Sequence, residues 1–194
     1  ALVPGGSVEC VAWSLHGDRL AAACSDGRLG LLEGRPLAVV QEWNFPGELF
    51  SLAWHPGGDL ISVAGTHGWS HVPLGDAGPV TRPREAAAVE AAWRADGVVA
   101  AITGDDGSIW LDDGAADPAL VRRLETPARG VAWHPAGAFA VGDVAGWVRV
   151  IAGDGKEVWS WQMSREVVSV RWQPGAASRL FAATRGAEAV LVDV

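Results

Sequence analysis

Short apolar runs alternate with turn-forming residues along the whole chain. Runs of four to six residues rich in Val, Leu and Ala, such as 20–24 and 98–103, are separated by Gly, Pro and Asp. Runs of this length bounded by turn residues are typical of β-strands. No stretch keeps a helical period of apolar positions over three turns. The alanine-rich stretch 84–93 aligns with the approach to a repeated Trp, so we interpret it as a loop followed by a strand.

Five tryptophans recur at a nearly constant spacing, with intervals of 41, 39, 40 and 39 residues. After each Trp come a turn, a short apolar run, a second turn that is clearest as Ser25-Asp26-Gly27, and a third apolar run. A period of about 40 residues that holds four short strands is the signature of a β-propeller blade. We therefore predict an all-β chain in which residues 1–194 form one domain, a β-propeller of five four-stranded antiparallel blades. The repeats are centred on Trp13, Trp54, Trp93, Trp133 and Trp172.

The repeats resemble those of the WD-repeat β-propeller family, in a prokaryotic type with divergent repeats. The resemblance rests on the apolar-x-Trp-x-Pro-x-Gly-x-Leu stretch, clearest around Trp54, and on the Asp-Gly turn that follows it. The Gly-His pair that opens a typical repeat is missing, and Leu111-Asp112 is the nearest remnant of the closing Trp-Asp pair. The resemblance implies a non-catalytic scaffold that binds a protein or peptide partner through its top face.

The chain ends predict how the fifth blade is completed. Twelve residues precede Trp13 and 22 follow Trp172, which together nearly supply one blade. We expect Leu2-Val3 to form the outermost strand of the last blade and to close the ring, since closure removes exposed sheet edges. A closed ring predicts a monomer, and an open one a homo-oligomer. The alternative is a fragment of a larger propeller array that assembles in trans.

Candidate binding residues lie where the family layout places the top loops. They stand just before the first strand of a blade or just after its second turn. Large aromatic faces and charged groups at such a rim suit a protein partner. The predicted top-face residues are Glu9, Glu48, Phe50, Trp69, Arg129, Trp147 and Glu166. Because the chain has 11 Trp, a carbohydrate-binding five-bladed lectin is the alternative, with Trp69 and Trp147 stacking on sugar rings.

Composition and charge exclude several classes of protein. Hydrophobic residues make up 49% of the chain and charged residues 20%, which disfavours disorder. The formal net charge of −8 disfavours a nucleic-acid partner, because binding phosphates needs clustered basic residues. No apolar run approaches the length of a membrane-spanning helix. No secretory signal is visible, so we expect a cytoplasmic protein of bacterial type.

Catalytic and metal-binding patterns are missing from the sequence. It contains no Gly-rich phosphate loop, no Gly-x-Ser-x-Gly elbow and no cluster with metal-ligand spacing. We therefore expect no enzyme activity, no cofactor and no metal. Cys10 and Cys24 fall on the first two strands of the first blade, roughly opposite each other, and we expect them to be free thiols.

Overall fold

The computed structural model describes residues 6–174, 179–186 and 188–194. The described residues contain 19 β-strands and no helix, which confirms the predicted all-β architecture. Within these ranges no helix of sufficient length and apolarity to cross a membrane occurs. The stretch 84–93 ends in a strand, Ala88–Trp93, as predicted.

The strands form five antiparallel sheets, which we call blades 1 to 5. Blade 1 contains β1 (Val8–Trp13), β2 (Arg19–Cys24), β3 (Arg28–Glu33) and β4 (Ala38–Asn44). Blade 2 contains β5 (Leu49–Trp54), β6 (Leu60–Gly65), β7 (Gly68–Pro73) and β8 (Val80–Pro83). Blade 3 contains β9 (Ala88–Trp93), β10 (Ala100–Gly104), β11 (Ser108–Asp112) and β12 (Ala119–Arg123). Blade 4 contains β13 (Ala128–Trp133), β14 (Phe139–Asp143), β15 (Trp147–Ile151) and β16 (Glu157–Gln162). Blade 5 contains β17 (Val167–Trp172), β18 (Arg179–Thr184) and β19 (Ala189–Asp193).

The strands in each blade follow the order of the chain, so each strand pairs with the next one. Blade 5 differs from the prediction, because its described part has three strands instead of four. The expected fourth strand, Leu2-Val3, lies outside the described residues, so closure by the N-terminus stays a prediction. The chain divides into two compact units, Ala1–Ala91 and Ala92–Val194. The single domain over 1–194 also stays a prediction, and each unit is described by itself below.

Tight turns after the repeated Trp residues set the register of the first hairpin in blades 1 to 4. In blade 4 the amide of Gly137 donates to the carbonyl of His134 at 3.0 Å. Gly137 has a φ of +93°, a conformation that residues with a Cβ rarely adopt. This turn pairs Trp133 with Phe139 across the two strands. A local turn signal therefore fixes which side chains share a face of the blade.

The core of unit 1 lies between blades 1 and 2. Small residues of blade 1, such as Ala21 and Ala23, and its leucines pack against larger apolar residues of blade 2. Leu29, Leu49, Ile61 and Val63 of this core are all 0% exposed. Burial of this kind contributes about 25 cal/mol for each Å² of apolar surface removed from water.

The core of unit 2 consists of two clusters. One joins residues of blade 3, such as Ile109, to Phe139 and Ile151 of blade 4. The other joins blade 4 to blade 5, with Val148 and Leu180 among its members. In β14, Phe139 and Val141 enter the first cluster and Ala140 between them enters the second, because successive side chains of a strand point to opposite faces.

The repeated tryptophans join neighbouring blades in a way the sequence did not predict. Trp54 Nε1 donates to the carbonyl of Ala12 at 2.9 Å. In unit 2, Trp133 Nε1 donates to Ala92 at 2.9 Å and Trp172 Nε1 to Ala132 at 3.0 Å. Each acceptor directly precedes the Trp of the preceding blade, so one contact recurs at three blade junctions.

Candidate functional site

Three charged side chains meet at one end of blades 4 and 5, and we call them the Arg129 cluster: Arg129, Glu166 and Arg185. Arg129 lies on β13, Glu166 directly precedes β17, and Arg185 directly follows β18. Arg129 Nε donates to Glu166 Oε1 at 3.0 Å, and Arg185 Nε donates to Glu166 Oε2 at 2.7 Å. One carboxylate therefore holds two guanidinium groups that come from different blades.

Electrostatics within the cluster favour the charged states of Glu166 and Arg185. The hydrogen bonds from Arg185 and then Arg129 hold the pKa of Glu166 below its usual range. Glu166 in turn raises the pKa of Arg185. The cluster therefore carries two positive charges and one negative charge at neutral pH, a local excess of positive charge in a chain whose net charge is −8.

Backbone contacts fix the position of the cluster. The hydroxyl of Thr103 on blade 3 donates to the carbonyl of Arg129 at 2.9 Å. The amide of Arg185 donates to the carbonyl of Glu166 at 2.8 Å. The side chains of Arg185, Arg129 and Glu166 are 73%, 32% and 20% exposed. A partner can therefore reach both arginines, while the carboxylate that orients them is more deeply placed.

A cleft of about 410 Å³ lies beside Trp147 at the same end of blade 4. The guanidinium carbon of Arg149 lies 5.2 Å from the centre of the Trp147 ring. A terminal N–H group of Arg149 also donates to the carboxylate of the buried Asp143. The Nε atom of Arg149 lies 3.4 Å from Oε2 of Glu157. The Trp147 ring is therefore half-buried under an arginine that other groups hold in place. The cleft is lined by Arg122, Arg123, Leu124, Glu125, Trp147, Arg149, Glu157 and Ser160.

Trp69 does not form part of an exposed surface, which corrects the sequence prediction of an aromatic residue at the rim. Its side chain is 1% exposed, and Arg84 lies over its ring at 4.7 Å. Arg84 stands on the segment between β8 and β9, so the repeat position of Trp69 gave no indication of this contact. Since Trp69 is buried, its ring offers no open face for stacking on a sugar, and Arg149 covers part of the Trp147 ring.

The other predicted residues of unit 1 remain near the surface. Glu9 is exposed at the start of β1 and accepts a hydrogen bond from the hydroxyl of Ser7. Glu48 is exposed, and its carbonyl accepts from the amide of Thr66 at 3.0 Å. Phe50 is half-buried on β5. A role for these three residues in binding stays a prediction.

Of the seven predicted residues, the structure joins Arg129 and Glu166 in one cluster. Sequence analysis missed Arg185, the third member. The signal was available, because Arg185 lies in the second turn of its blade, Thr184-Arg185-Gly186. The prediction considered the residue that follows this turn instead of the turn residue itself.

The two cysteines are both free thiols. Cys10 lies opposite Ala23, the neighbour of Cys24, and Cys24 lies opposite Val8, so the two cysteines are offset by one position across the two strands. Burial raises the pKa of the Cys24 thiol. Across the part of the chain that the structure describes, no group of three or more His, Cys, Asp and Glu side chains is arranged to hold a metal ion.

Comparison with known proteins gives one repeat match and a shared fold. Residues 4–31 match the model of the WD domain, G-beta repeat. The β-propeller domain of Cps50 (Swd1) from Myceliophteria thermophila superposes with a TM-score of 0.86 at 15% identity, over 99% of this chain and 66% of that one. A chain of the mitotic checkpoint complex superposes with a TM-score of 0.82 at 16% identity, over 99% of this chain and 66% of that one. No curated protein matches the sequence. The chain thus spans about two thirds of these structures and has the same β-propeller fold, and its first repeat is similar to the WD domain.

Proposed function

We propose that this WD-repeat propeller is a non-catalytic interaction module that binds a protein or peptide partner through the Arg129 cluster. WD-repeat propellers generally act as protein-interaction scaffolds. One of the matching chains belongs to a multiprotein assembly, the mitotic checkpoint complex. Fold likeness alone does not assign a function, so the proposal rests on the geometry of the cluster.

The observation that carries the proposal is that Glu166 holds Arg129 and Arg185 together, with one Nε–H from each. A guanidinium group has further N–H donors in a planar fork that matches a carboxylate. Because Glu166 takes the inner Nε–H groups, the terminal N–H groups are the ones that a partner reaches. Arginines that are already oriented lose less side-chain entropy when they bind.

The chemistry of the cluster selects the partner. Two guanidinium groups with one carboxylate leave a net positive charge, which favours an acidic side chain or a chain terminus of the partner. Arg165 lies close to this site, because a Cβ added to Gly186 would lie 3.5 Å from Arg165 Cδ. We therefore propose a partner segment that contains Asp or Glu.

The experiment is a selection of random peptides displayed on phage against the immobilised wild-type chain. We expect peptides rich in Asp and Glu to be enriched. Their affinity is then measured for the double variant Arg129→Ala, Arg185→Ala. Charge-assisted hydrogen bonds contribute about 1.5–3 kcal/mol each, so the loss of one such bond from each arginine should weaken binding by about a hundredfold or more.

The matched control is Arg179→Ala in blade 5. Arg179 is 49% exposed and pairs with Asp193 at 2.9 Å, so this variant also removes a surface arginine with an acidic partner. It should bind the selected peptides as the wild type does. Equal affinity of the wild type and the double variant would refute the proposed site, as would a selection without acidic peptides.

A further inference from the structure

Two glycines lie inside strands of blade 4, Gly130 on β13 and Gly142 on β14. Neither has a positive φ, so the backbone conformation does not require glycine at either position. A glycine inside a strand has no side chain to pack, and it often marks a place where another part of the chain approaches closely. At both glycines the approaching segment belongs to blade 5.

The other blades have a side chain at both positions. Gly130 stands three residues before the repeated Trp, at a β-bulge that recurs in blades 1, 2 and 5. Its equivalents are Cys10, Ser51, Glu90 and Ser169. Gly142 directly precedes the residue that begins the second turn of its blade. Its equivalents are Ala23, Ala64, Thr103 and Ala183. Neither the bulge nor the turn therefore requires glycine.

Gly130 lies against the backbone of β17 in blade 5. A Cβ added to Gly130 would lie 3.0 Å from the backbone nitrogen of Val170 and 3.3 Å from Cα of Ser169. An unstrained contact between carbon atoms is longer, at about 3.5–4.0 Å. A side chain at this position would therefore push β17 away from β13.

Gly142 lies against Val167 at the start of β17. A Cβ added to Gly142 would lie 2.4 Å from Cγ1 of Val167 and 2.8 Å from its Cβ. Val167 is 0% exposed, and a valine side chain has few alternative rotamers. Because the side chain cannot turn away, the backbone at Val167 would have to move.

The contacts of the two glycines lie next to the ion pair of the Arg129 cluster. Gly130 directly follows Arg129. Val167, which packs on Gly142, directly follows Glu166. We propose that Gly130 and Gly142 are positioning residues for the Arg129 cluster. Because they lack side chains, β17 comes close enough to β13 for Glu166 to accept the Nε–H of Arg129 at 3.0 Å. The inference rests on the proposed function, in which the oriented arginine binds an acidic partner.

The first test needs no partner and uses the variants Gly130→Ala and Gly142→Ala. In both, Glu166 moves away from Arg129, so exchange of the Arg129 Nε–H with water should become about tenfold faster or more, and its nuclear magnetic resonance signal should weaken. The Nε–H signal of Arg185 should remain. The amide of Arg185 donates to the carbonyl of Glu166 at 2.8 Å, so these two residues move together.

The second test is the affinity for the acidic peptides selected against the wild type. An arginine that is no longer oriented must lose side-chain freedom on binding, so Gly130→Ala should weaken binding by about two- to tenfold. In a Glu166→Ala background the ion pair is already absent, and Gly130→Ala should then change nothing further.

The control for lost packing is Leu180→Val. Leu180 is 0% exposed in the core between blades 4 and 5, at the other end of β18 from Arg185. This variant should lower stability and leave both the Arg129 signal and the peptide affinity unchanged.

Three results would overturn the proposal. One is an Arg129 signal that stays unchanged in the folded variants. Another is a peptide affinity of Gly130→Ala equal to that of the wild type, and the third is an equal loss of affinity with and without Glu166. If the wild type selects no acidic peptide, the proposed function fails, and the Arg129 signal still decides the role of the glycines. Circular dichroism verifies folding; if Gly142→Ala does not fold, Gly130→Ala, which has the milder contacts, decides.

Discussion

Replacing Trp133 by Phe tests the contact that joins the blades of unit 2. The substitution keeps an aromatic ring but removes the indole N–H that donates to the carbonyl of Ala92 at 2.9 Å. The ring of Trp133 also contacts Phe139, with the two ring centres 5.0 Å apart. Trp133→Phe therefore removes one hydrogen bond, leaves a partly buried carbonyl without that donor, and shortens a packed side chain.

The expected loss of stability follows from these contacts. A buried carbonyl that loses its donor costs about 1–3 kcal/mol. A smaller ring in a packed site adds about 1 kcal/mol for the space that it leaves. The free energy of unfolding should therefore fall by about 2–4 kcal/mol, and Tm by roughly 4–16 °C for a chain of this length.

Denaturant titration and thermal unfolding, followed by circular dichroism, measure this loss. Trp161→Phe is the matched control, because Trp161 lies on the outer strand of blade 4 and is 49% exposed. It should change stability by about 0.5 kcal/mol or less. If both variants lose the same stability, the hydrogen bond of Trp133 does not hold the blades together and the reasoning is wrong.

Three further predictions concern single residues. Gly107→Ala should destabilise the protein by about 2 kcal/mol or more, because Gly107 has a φ of +79° and an added Cβ would lie 2.4 Å from a backbone carbonyl oxygen. The control is Gly153→Ala, because no atom lies within 4 Å of the Cβ added there. In the same denaturant titration this control should leave the free energy of unfolding nearly unchanged. The wild type should be more stable than Glu166→Gln at neutral pH. This difference in the free energy of unfolding should be lost as the pH falls below the ordinary pKa of glutamate and through the lowered pKa of Glu166. Unfolding curves at a series of pH values measure it, and a difference that grows on acidification would contradict the assigned ion pairs. Cys24 should resist a thiol reagent in the folded protein, because it is 1% exposed and burial raises its pKa, whereas Cys10 should be labelled first; mass spectrometry of the labelled peptides measures the order.

Sequence analysis predicted the blades because their signals are local. A turn that contains a glycine such as Gly137 fixes a hairpin, and the constant spacing of the Trp residues shows that the hairpin recurs. The indole hydrogen bonds were not predicted, since spacing reveals that a Trp is structural but not which atom its N–H contacts. They depend on how two neighbouring blades approach each other.

The candidate site was predicted less completely, because its contacts connect distant parts of the chain. Arg129 and Glu166 were identified from their place in the repeat, but the third member, Arg185, was not. Trp69 and Trp147 occupy equivalent positions, yet Trp69 is 1% exposed and Trp147 is half-buried. The difference arises from individual contacts, such as that of Arg84 with Trp69, which no repeat position encodes.

Nuclear magnetic resonance of the arginine Nε–H groups tests the proposed interaction site most directly. The Nε–H groups of Arg129 and Arg185 donate to Glu166, which should slow their exchange with water and make their signals visible. Addition of a selected acidic peptide should shift these two signals in a saturable manner and leave that of Arg179 unchanged. A peptide that binds without shifting the signals of Arg129 and Arg185 would show that the partner binds elsewhere on the propeller.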